Sequence, residues 1–276
     1  MNNIHIVTVA TDYEYYLHYL IDTCKRYGKE LEILGFGEKW KGFNWKFKLM
    51  IDYLNNLPDT DIVCFIDGYD VICLRNLDEL EDEFIKIKKE NNCSIIVGHD
   101  KTSFIMSFNS LYFGKCNNTK LNSGTYIGYV KDLLFILINL QKINSNDNSD
   151  DQYLMTQYCN LNKNLFYIDT KSKLFLSLSY PLQEIDDKLE IKDNIIYYQS
   201  EKPFFIHAPG YTYLDNLIIR LNYDYDYNHK IKDNLYNNFI EKKIFLYTKN
   251  IFMEYYIYII IFIIIIFIFW KYDKFI

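Results

Sequence analysis

Ile62-Val63-Cys64-Phe65-Ile66-Asp67-Gly68-Tyr69-Asp70 is a five-residue apolar run closed by an acidic turn. A run with no polar alternation, bounded by Asp61 and Asp67, predicts a central strand buried on both faces. Such a strand needs helices above and below it, which points to an α/β sheet. Ligands of these sheets bind beyond the carboxyl ends of the strands, and that end here delivers Asp67 and Asp70 around Gly68-Tyr69. Two close carboxylates ionise together when a cation lies between them. A hard divalent ion meets that need with oxygen ligands and can also hold a diphosphate. In isolation a D-x-x-D also suits a turn, with the aspartates as turn formers and caps.

Outward from this segment, strands and helices alternate. Residues 4–10 predict a strand, and Tyr15, Tyr16, Tyr19 and Leu20 fall at helical spacing within 14–26. Residues 31–34 predict a second strand, leading into a glycine-bearing loop at 35–42 and a helix over 46–54. Downstream, 71–73 is a short strand. Asn76 with Glu79 resembles a capping box ahead of a helix whose Leu77, Leu80, Phe84 and Ile87 share a face. Residues 94–98 are another buried strand. A turn at 121–124 is expected to feed a strand over 126–130, then a helix over 131–142 and a polar loop over 144–149. Asp150 and Asp151 open a helix over 153–159 at the positive end of its dipole. One of them is expected to be an N-cap, but not both. Strands over 166–169 and 203–207 follow. The second ends in His207 with Pro209-Gly210 after it, so an imidazole and an approachable backbone can complete a metal and diphosphate site. The plainer alternative is a structural histidine.

The chain of 276 residues is long enough for one sizeable α/β core, and its 50% hydrophobic and 24% charged residues describe a globular protein. A net charge of −6 without a Lys/Arg cluster argues against nucleic acid as a partner. The six cysteines show neither C-x-x-C nor zinc spacing, and Cys64 is expected as a buried free thiol. The first residues read directly as a strand, so no signal peptide is expected. Residues 251–270 are apolar or aromatic except Glu254, which matches a helix that crosses a bilayer. Tyr255, Tyr256, Tyr258 and Trp270 would lie at its interfaces. No polar face supports an interfacial helix instead. Lys242, Lys243 and Lys249 precede the run, and Lys271 and Lys274 follow it with Asp273, a slight bias that leans the bulk of the chain toward the cytosol. The expected organisation is a catalytic domain over 1–222, a polar connector with a helix over 223–250, a single membrane span over 251–270 and a tail over 271–276.

Six stretches then stand in a familiar order. They are Thr8-Val9-Ala10-Thr11, Leu34-Gly35-Phe36-Gly37-Glu38-Lys39-Trp40-Lys41-Gly42, Phe65-Ile66-Asp67-Gly68-Tyr69-Asp70-Val71-Ile72, Leu121-Asn122-Ser123-Gly124-Thr125-Tyr126-Ile127-Gly128, Asp150-Asp151-Gln152 and Ile206-His207-Ala208-Pro209-Gly210. Together they resemble the glycosyltransferase domain of the procollagen lysyl hydroxylases. The resemblance implies a GT-A (Rossmann-like) fold that uses UDP-sugars with manganese or another divalent cation. It implies Asp67, Asp70 and His207 as metal ligands, Tyr69 against the uracil or ribose, and Thr8, Val9 and Thr11 lining the nucleotide pocket. Trp40 falls near the sugar nucleotide, Lys46 faces phosphate, and Asn122 and Gly210 belong to the same cofactor site. Asp150 and Asp151 match the end of an aspartate run near the transferred sugar and are the catalytic candidates. Asn148 and Ser149 depart from that run. Residues 98–108 lack a matching tryptophan and offer Asp100 as their acid. Thr125 replaces a glycine, and Pro209 an asparagine.

The function expected from the resemblance is transfer of glucose or galactose from a UDP-sugar to a hydroxyl acceptor, such as glycosylated hydroxylysine of a collagen-like protein. A divalent cation would stabilise the leaving diphosphate. A carboxylate of Asp150 or Asp151 would stabilise the oxocarbenium-like centre or serve the acceptor as base. The alternative is a catalytically degenerate, membrane-anchored nucleotide-sugar-binding protein. A haloacid-dehalogenase phosphatase needs acids two apart, and position 69 is Tyr. The triplet Asn117-Asn118-Thr119 can be glycosylated only in a luminal domain.

Overall fold

The computed structural model describes residues 3–101, 113–178, 189–192, 195–209 and 213–225, together with Tyr258, Ile260, Phe262, Ile263 and Ile265. The chain divides into two compact units, Met1–Tyr227 and Asn228–Ile276. Of the second unit, the five described residues are helical and exposed. The expected connector beyond residue 225 and the rest of the run 251–270 lie outside the described residues. Among the described residues no helix is long and apolar enough to cross a membrane.

The first unit runs β1 (Ile4–Val9), α1 (Leu17–Arg26), β2 (Leu31–Leu34), α2 (Trp45–Leu54), β3 (Ile62–Ile66), β4 (Val71–Cys73), α3 (Leu80–Asn91), β5 (Ile95–His99) and β6 (Leu121–Tyr129). It continues with α4 (Val130–Ile143), α5 (Asp151–Leu161), β7 (Phe166–Ile168), β8 (Phe175–Ser177), β9 (Leu189–Lys192), β10 (Ile195–Tyr198), β11 (Phe205–His207) and α6 (Asp215–Arg220). Six strands form one sheet in the order β2-β1-β3-β6-β5-β7. Only β6 runs antiparallel to its neighbours there, so β1, β2, β3, β5 and β7 end on the same edge.

As its sequence predicts, β3 is central and buried along its whole length. Val63 and Phe65 face a core built with Phe47 and Met50 of α2, Leu133, Ile136, Leu137 and Leu140 of α4, and Leu154 and Met155 of α5. Ile62, Cys64 and Ile66 face the opposite core, with Leu20 of α1 and Phe84 and Ile87 of α3. Each such aliphatic or aromatic side chain contributes about 1.5–3 kcal/mol on burial, which is why both faces of the sheet are covered.

The structure differs from the local expectation in three places. The stretch expected to turn at 121–124 is instead the start of one nine-residue strand, β6, almost all of it buried. Leu121 and Asn122 pair with β5 and the Gly124 carbonyl accepts from the Asp67 N–H at 2.7 Å, which holds the stretch extended, and a register shift between Val97 and Gly98 of β5 absorbs Ser123-Gly124-Thr125. The helix expected after Asn76 begins with a 3-10 turn, Leu77–Glu79, because the Asn76 side chain accepts from the backbone N–H of Asp78. Residues 71–73 and 205–207 belong with β8 to a separate three-stranded sheet, β4-β11-β8. Cys116, ahead of β6, forms a disulfide with Cys159 of α5, while Cys24, Cys64, Cys73 and Cys93 are free and buried. Spacing alone gave no sign of that pairing.

Candidate active site

The two sheets meet at the acidic turn. Asp67 leaves β3 and Asp70 enters β4, so Asp67-Gly68-Tyr69-Asp70 is the crossing between them. β11 pairs with β4 so that His207 lies opposite Val71, and the Ala208 N–H donates to the Asp70 carbonyl at 2.8 Å. This pairing brings His207 Nε2 to 3.2 Å from Asp70 Oδ1 and 3.9 Å from Asp67 Oδ2. One ligand atom from each of the three lies within 4.8 Å of the others. His207 is fully buried; burial pushes its pKa down, but the charges of Asp70 and Asp67 outweigh this and hold it above the ordinary value.

Two glycines make the close approach possible. A Cβ on Gly124 would stand 2.5 Å from both Asp67 Oδ2 and His207 Cε1 and 3.0 Å from Asn122 Oδ1. A Cβ on Gly68 would stand 2.9 Å from Thr8 Oγ1 and 3.2 Å from the Val9 carbonyl. The donor set fits a divalent cation: Asp70 Oδ1 and His207 Nε2 are buried with only their mutual 3.2 Å contact, and an oxygen of Asp67 lies within 4.8 Å of both. Buried polar atoms left this way cost free energy unless a ligand satisfies them.

Lys46, at the start of α2, is almost fully buried. Its Nζ lies 2.8 Å from Asp67 Oδ1 and 2.7 Å from Asp151 Oδ2. Burial works to lower its pKa, but Asp151 and Asp67 more than offset this and keep it protonated. The ammonium therefore links the acidic turn to the start of α5. At that helix start Asp150 is the N-cap, accepting from the Tyr153 N–H at 2.9 Å, while buried Asp151 turns to Lys46. The two aspartates are thus one cap and one ion-pair partner.

The remaining expected residues divide by exposure. Tyr69 Oη accepts from the Thr11 N–H at 2.8 Å and the Asp12 N–H at 3.3 Å and lies 3.1 Å from Asp12 Oδ1, so it pins the loop after β1. Thr8 and Val9 are buried beneath that loop, and Thr11 is half-buried. Asn122 is buried and accepts from the Gly124 N–H at 2.9 Å. Trp40 is 39% exposed and packs edge-on against Phe43 and Trp45 at 5.7 and 5.8 Å. Gly210 lies outside the described residues. Three further side chains, Asp12, Gln152 and Tyr126, were given no role from the sequence. Asp12 is held by Tyr69, and Gln152 Nε2 reaches Asp100 Oδ2 at 3.4 Å. The Tyr126 hydroxyl is buried without a hydrogen-bond partner, its pKa raised by burial and then by the charges of Asp151 and Asp67. Tyr126 reads only as an apolar strand residue, so no local signal marks it.

Comparison with known proteins completes the picture. The PLOD GT domain family model matches residues 1–237. The chain belongs to the PLOD GT domain family. The procollagen-lysine,2-oxoglutarate 5-dioxygenase of Drosophila melanogaster is 29% identical over 238 residues, covering 78% of this chain and 31% of that relative. The multifunctional procollagen lysine hydroxylase and glycosyltransferase of Caenorhabditis elegans is 25% identical over 232 residues, covering 74% of this chain and 30% of that relative. The chain therefore spans under a third of the length of these curated relatives. Among solved structures it is similar to apo mouse xyloside xylosyltransferase 1, with a TM-score of 0.47 and 11% identity over 77% of this chain and 99% of the other. It is also similar to a glycosyltransferase involved in glycosylation of the PBCV-1 major capsid, with a TM-score of 0.46 and 12% identity over 75% of this chain and 95% of the other. Membership of the PLOD GT domain family rests on the sequence match, not on these distant likenesses.

Proposed function

We propose that this PLOD GT domain is a metal-dependent glycosyltransferase that moves glucose or galactose from a UDP-sugar to a hydroxyl acceptor, of the class of glycosylated hydroxylysine in a collagen-like protein. The observation that carries the proposal is the convergence of Asp67, Asp70 and His207, with one ligand atom of each within 4.8 Å of the others, at the carboxyl end of β3. Two carboxylates and an imidazole can hold a divalent ion such as manganese, the carboxylates supplying hard oxygen ligands and the imidazole a nitrogen that transition metals accept. Bound there, such an ion supplies Lewis-acid stabilisation of a diphosphate leaving group.

The chain's own residues do the rest. Tyr69 fixes the Thr11-Asp12 loop that would lie along the nucleoside, with Trp40 on the neighbouring loop. Lys46 holds Asp67 and Asp151 at fixed separation, which preorganises the charges around the reacting centre. Asp151, nearly shielded from solvent, supplies negative charge that favours an oxocarbenium-like sugar. Asp150 fixes the helix start from which Asp151 projects. The names of the matched relatives support a collagen-type acceptor. The apolar run 251–270 is proposed as a membrane anchor.

A second reading, nucleotide-sugar binding without turnover, is favoured by Asp150 serving as a cap and Asp151 already occupied by Lys46. UDP release by the purified chain with manganese, screened over UDP-glucose, UDP-galactose and other donors, separates the two. Release that disappears in Asp67→Ala/Asp70→Ala supports the transferase. Tight UDP-sugar binding without release for any donor supports the binding protein.

A further inference from the structure

The hairpin leading into β6 carries two features that the transferase chemistry does not use. Cys116 and Thr119 form an antiparallel bridge, Cys116 N to Thr119 O at 2.8 Å and Thr119 N to Cys116 O at 2.9 Å. Between them, Asn117 and Asn118 take φ of 51° and 59°, and both are exposed. This is a two-residue turn with both central residues left-handed, a conformation asparagine tolerates better than most side chains. The tip of that turn is also the acceptor triplet Asn117-Asn118-Thr119. The residue immediately before it, Cys116, is joined to Cys159 of α5 by a disulfide.

We propose that Asn117 carries an N-linked oligosaccharide and that the unit Met1–Tyr227 faces an oxidising secretory lumen. This inference stands apart from the proposed transferase activity. In the glycosylation step, Asn117 Nδ2 attacks the anomeric carbon of a polyprenyl-diphosphate oligosaccharide. The N–C glycosidic bond forms, the anomeric C–O bond to the diphosphate breaks, the amide loses one proton, and polyprenyl diphosphate departs. In the oxidation step, the Cys116 and Cys159 thiols lose two electrons and two protons to a protein disulfide, which becomes a dithiol.

The two modifications belong to the same compartment, because structural disulfides persist in the secretory lumen and are rare in the reducing cytosol. Attachment at Asn117 disturbs no packing, since its side chain projects from an exposed turn that the disulfide ties to α5. The four remaining cysteines are buried, where an oxidising solvent does not reach them. The slight lysine bias around the run 251–270 leans toward the opposite side, and the hairpin decides against it. A second triplet, Asn92-Cys93-Ser94, follows α3 with Asn92 exposed and Cys93 buried, and serves as an internal comparison.

The test is to produce the full chain in a eukaryotic cell, remove N-glycans with a peptide N-glycosidase, which converts a glycosylated asparagine to aspartate, and map the peptides. In parallel, thiols of the denatured chain are alkylated before and after reduction. The expected result is conversion at Asn117 in the wild-type chain, loss of the glycosidase-sensitive mobility shift in Asn117→Gln and in Thr119→Ala, and two cysteines of the six that alkylate only after reduction. An unconverted Asn117, a glycan confined to Asn92, or six cysteines that all alkylate without reduction would overturn the proposal. The wild-type mapping decides the matter even where a variant folds poorly.

Discussion

Gly124→Ala tests whether the acidic turn and His207 form one site. The added methyl carbon would sit 2.5 Å from Asp67 Oδ2 and 2.5 Å from His207 Cε1, where ordinary contacts begin at 3.4 Å, so each neighbour must retreat by roughly 0.9 Å. His207 is buried with its side chain 2% exposed and has nowhere to go, whereas Asp67 is 27% exposed and can swing outward. Because the buried imidazole cannot yield, the substitution should cost about 3 kcal/mol of stability, the high end for an overpacked core, and lower the melting temperature by about 6–12 °C. It should displace Asp67 from Asp70 and His207, and manganese affinity should fall by at least the ten- to hundredfold typical of a disturbed support around metal ligands. Manganese titration by calorimetry, with melting curves with and without the ion, separates the two effects. The wild-type chain should gain thermal stability from manganese and the variant should gain little. A variant that melts several degrees lower yet binds manganese with wild-type affinity would refute the geometry.

Three further outcomes follow from other contacts. Lys46→Met should leave Asp67 and buried Asp151 without their shared cation and lower stability by about 3 kcal/mol in urea denaturation, while Lys46→Arg retains most of it. Asp61 pairs with His5 at 3.1 Å and accepts from the Asn3 N–H at 3.2 Å; burial pushes its pKa up, but these bonds hold it below the ordinary carboxylate value. Because the folded pKa is the lower one, the stabilisation is complete above the unfolded pKa and is lost as pH falls through the folded pKa. Asp61→Asn should therefore melt below the wild-type chain at pH 7, with the gap closing below about pH 4. Cys116→Ser removes a link across 43 residues of sequence and should lower stability by about 4 kcal/mol, an effect that a reductant reproduces on the wild-type chain but not on the variant.

The central strand was legible because its signal is local: five apolar residues with no alternation admit a strand buried on both faces and little else. The acidic turn was legible for the same reason, since both carboxylates fall within four residues of each other. His207 was visible as a strand end, but nothing in 203–207 says that this strand pairs with 71–73 in a second sheet, because pairing partners are set by long-range packing. The stretch 121–124 misled because Asn, Ser and Gly favour turns when isolated. Pairing with β5 and the bond from the Asp67 N–H to the Gly124 carbonyl override that preference here, and the glycine is needed for the missing side chain rather than for a turn. The two aspartates that Lys46 meets were not legible, because one is brought from a helix about a hundred residues away. The disulfide was illegible from spacing, since its cysteines are brought together only when β6 and α5 dock.

The placement of His207 on a different sheet from Asp67 has a mechanical consequence. The three side chains belong to segments that separate when the chain unfolds, so an ion gripped by all three acts as a removable rivet between the large sheet and the small one. Its grip exists only when both sheets are formed. At a free concentration one hundred times its dissociation constant, such a ligand adds about 2.7 kcal/mol to the folded state. The cation supply of the compartment would then set how firmly the two sheets are fastened together, as well as whether the site can act.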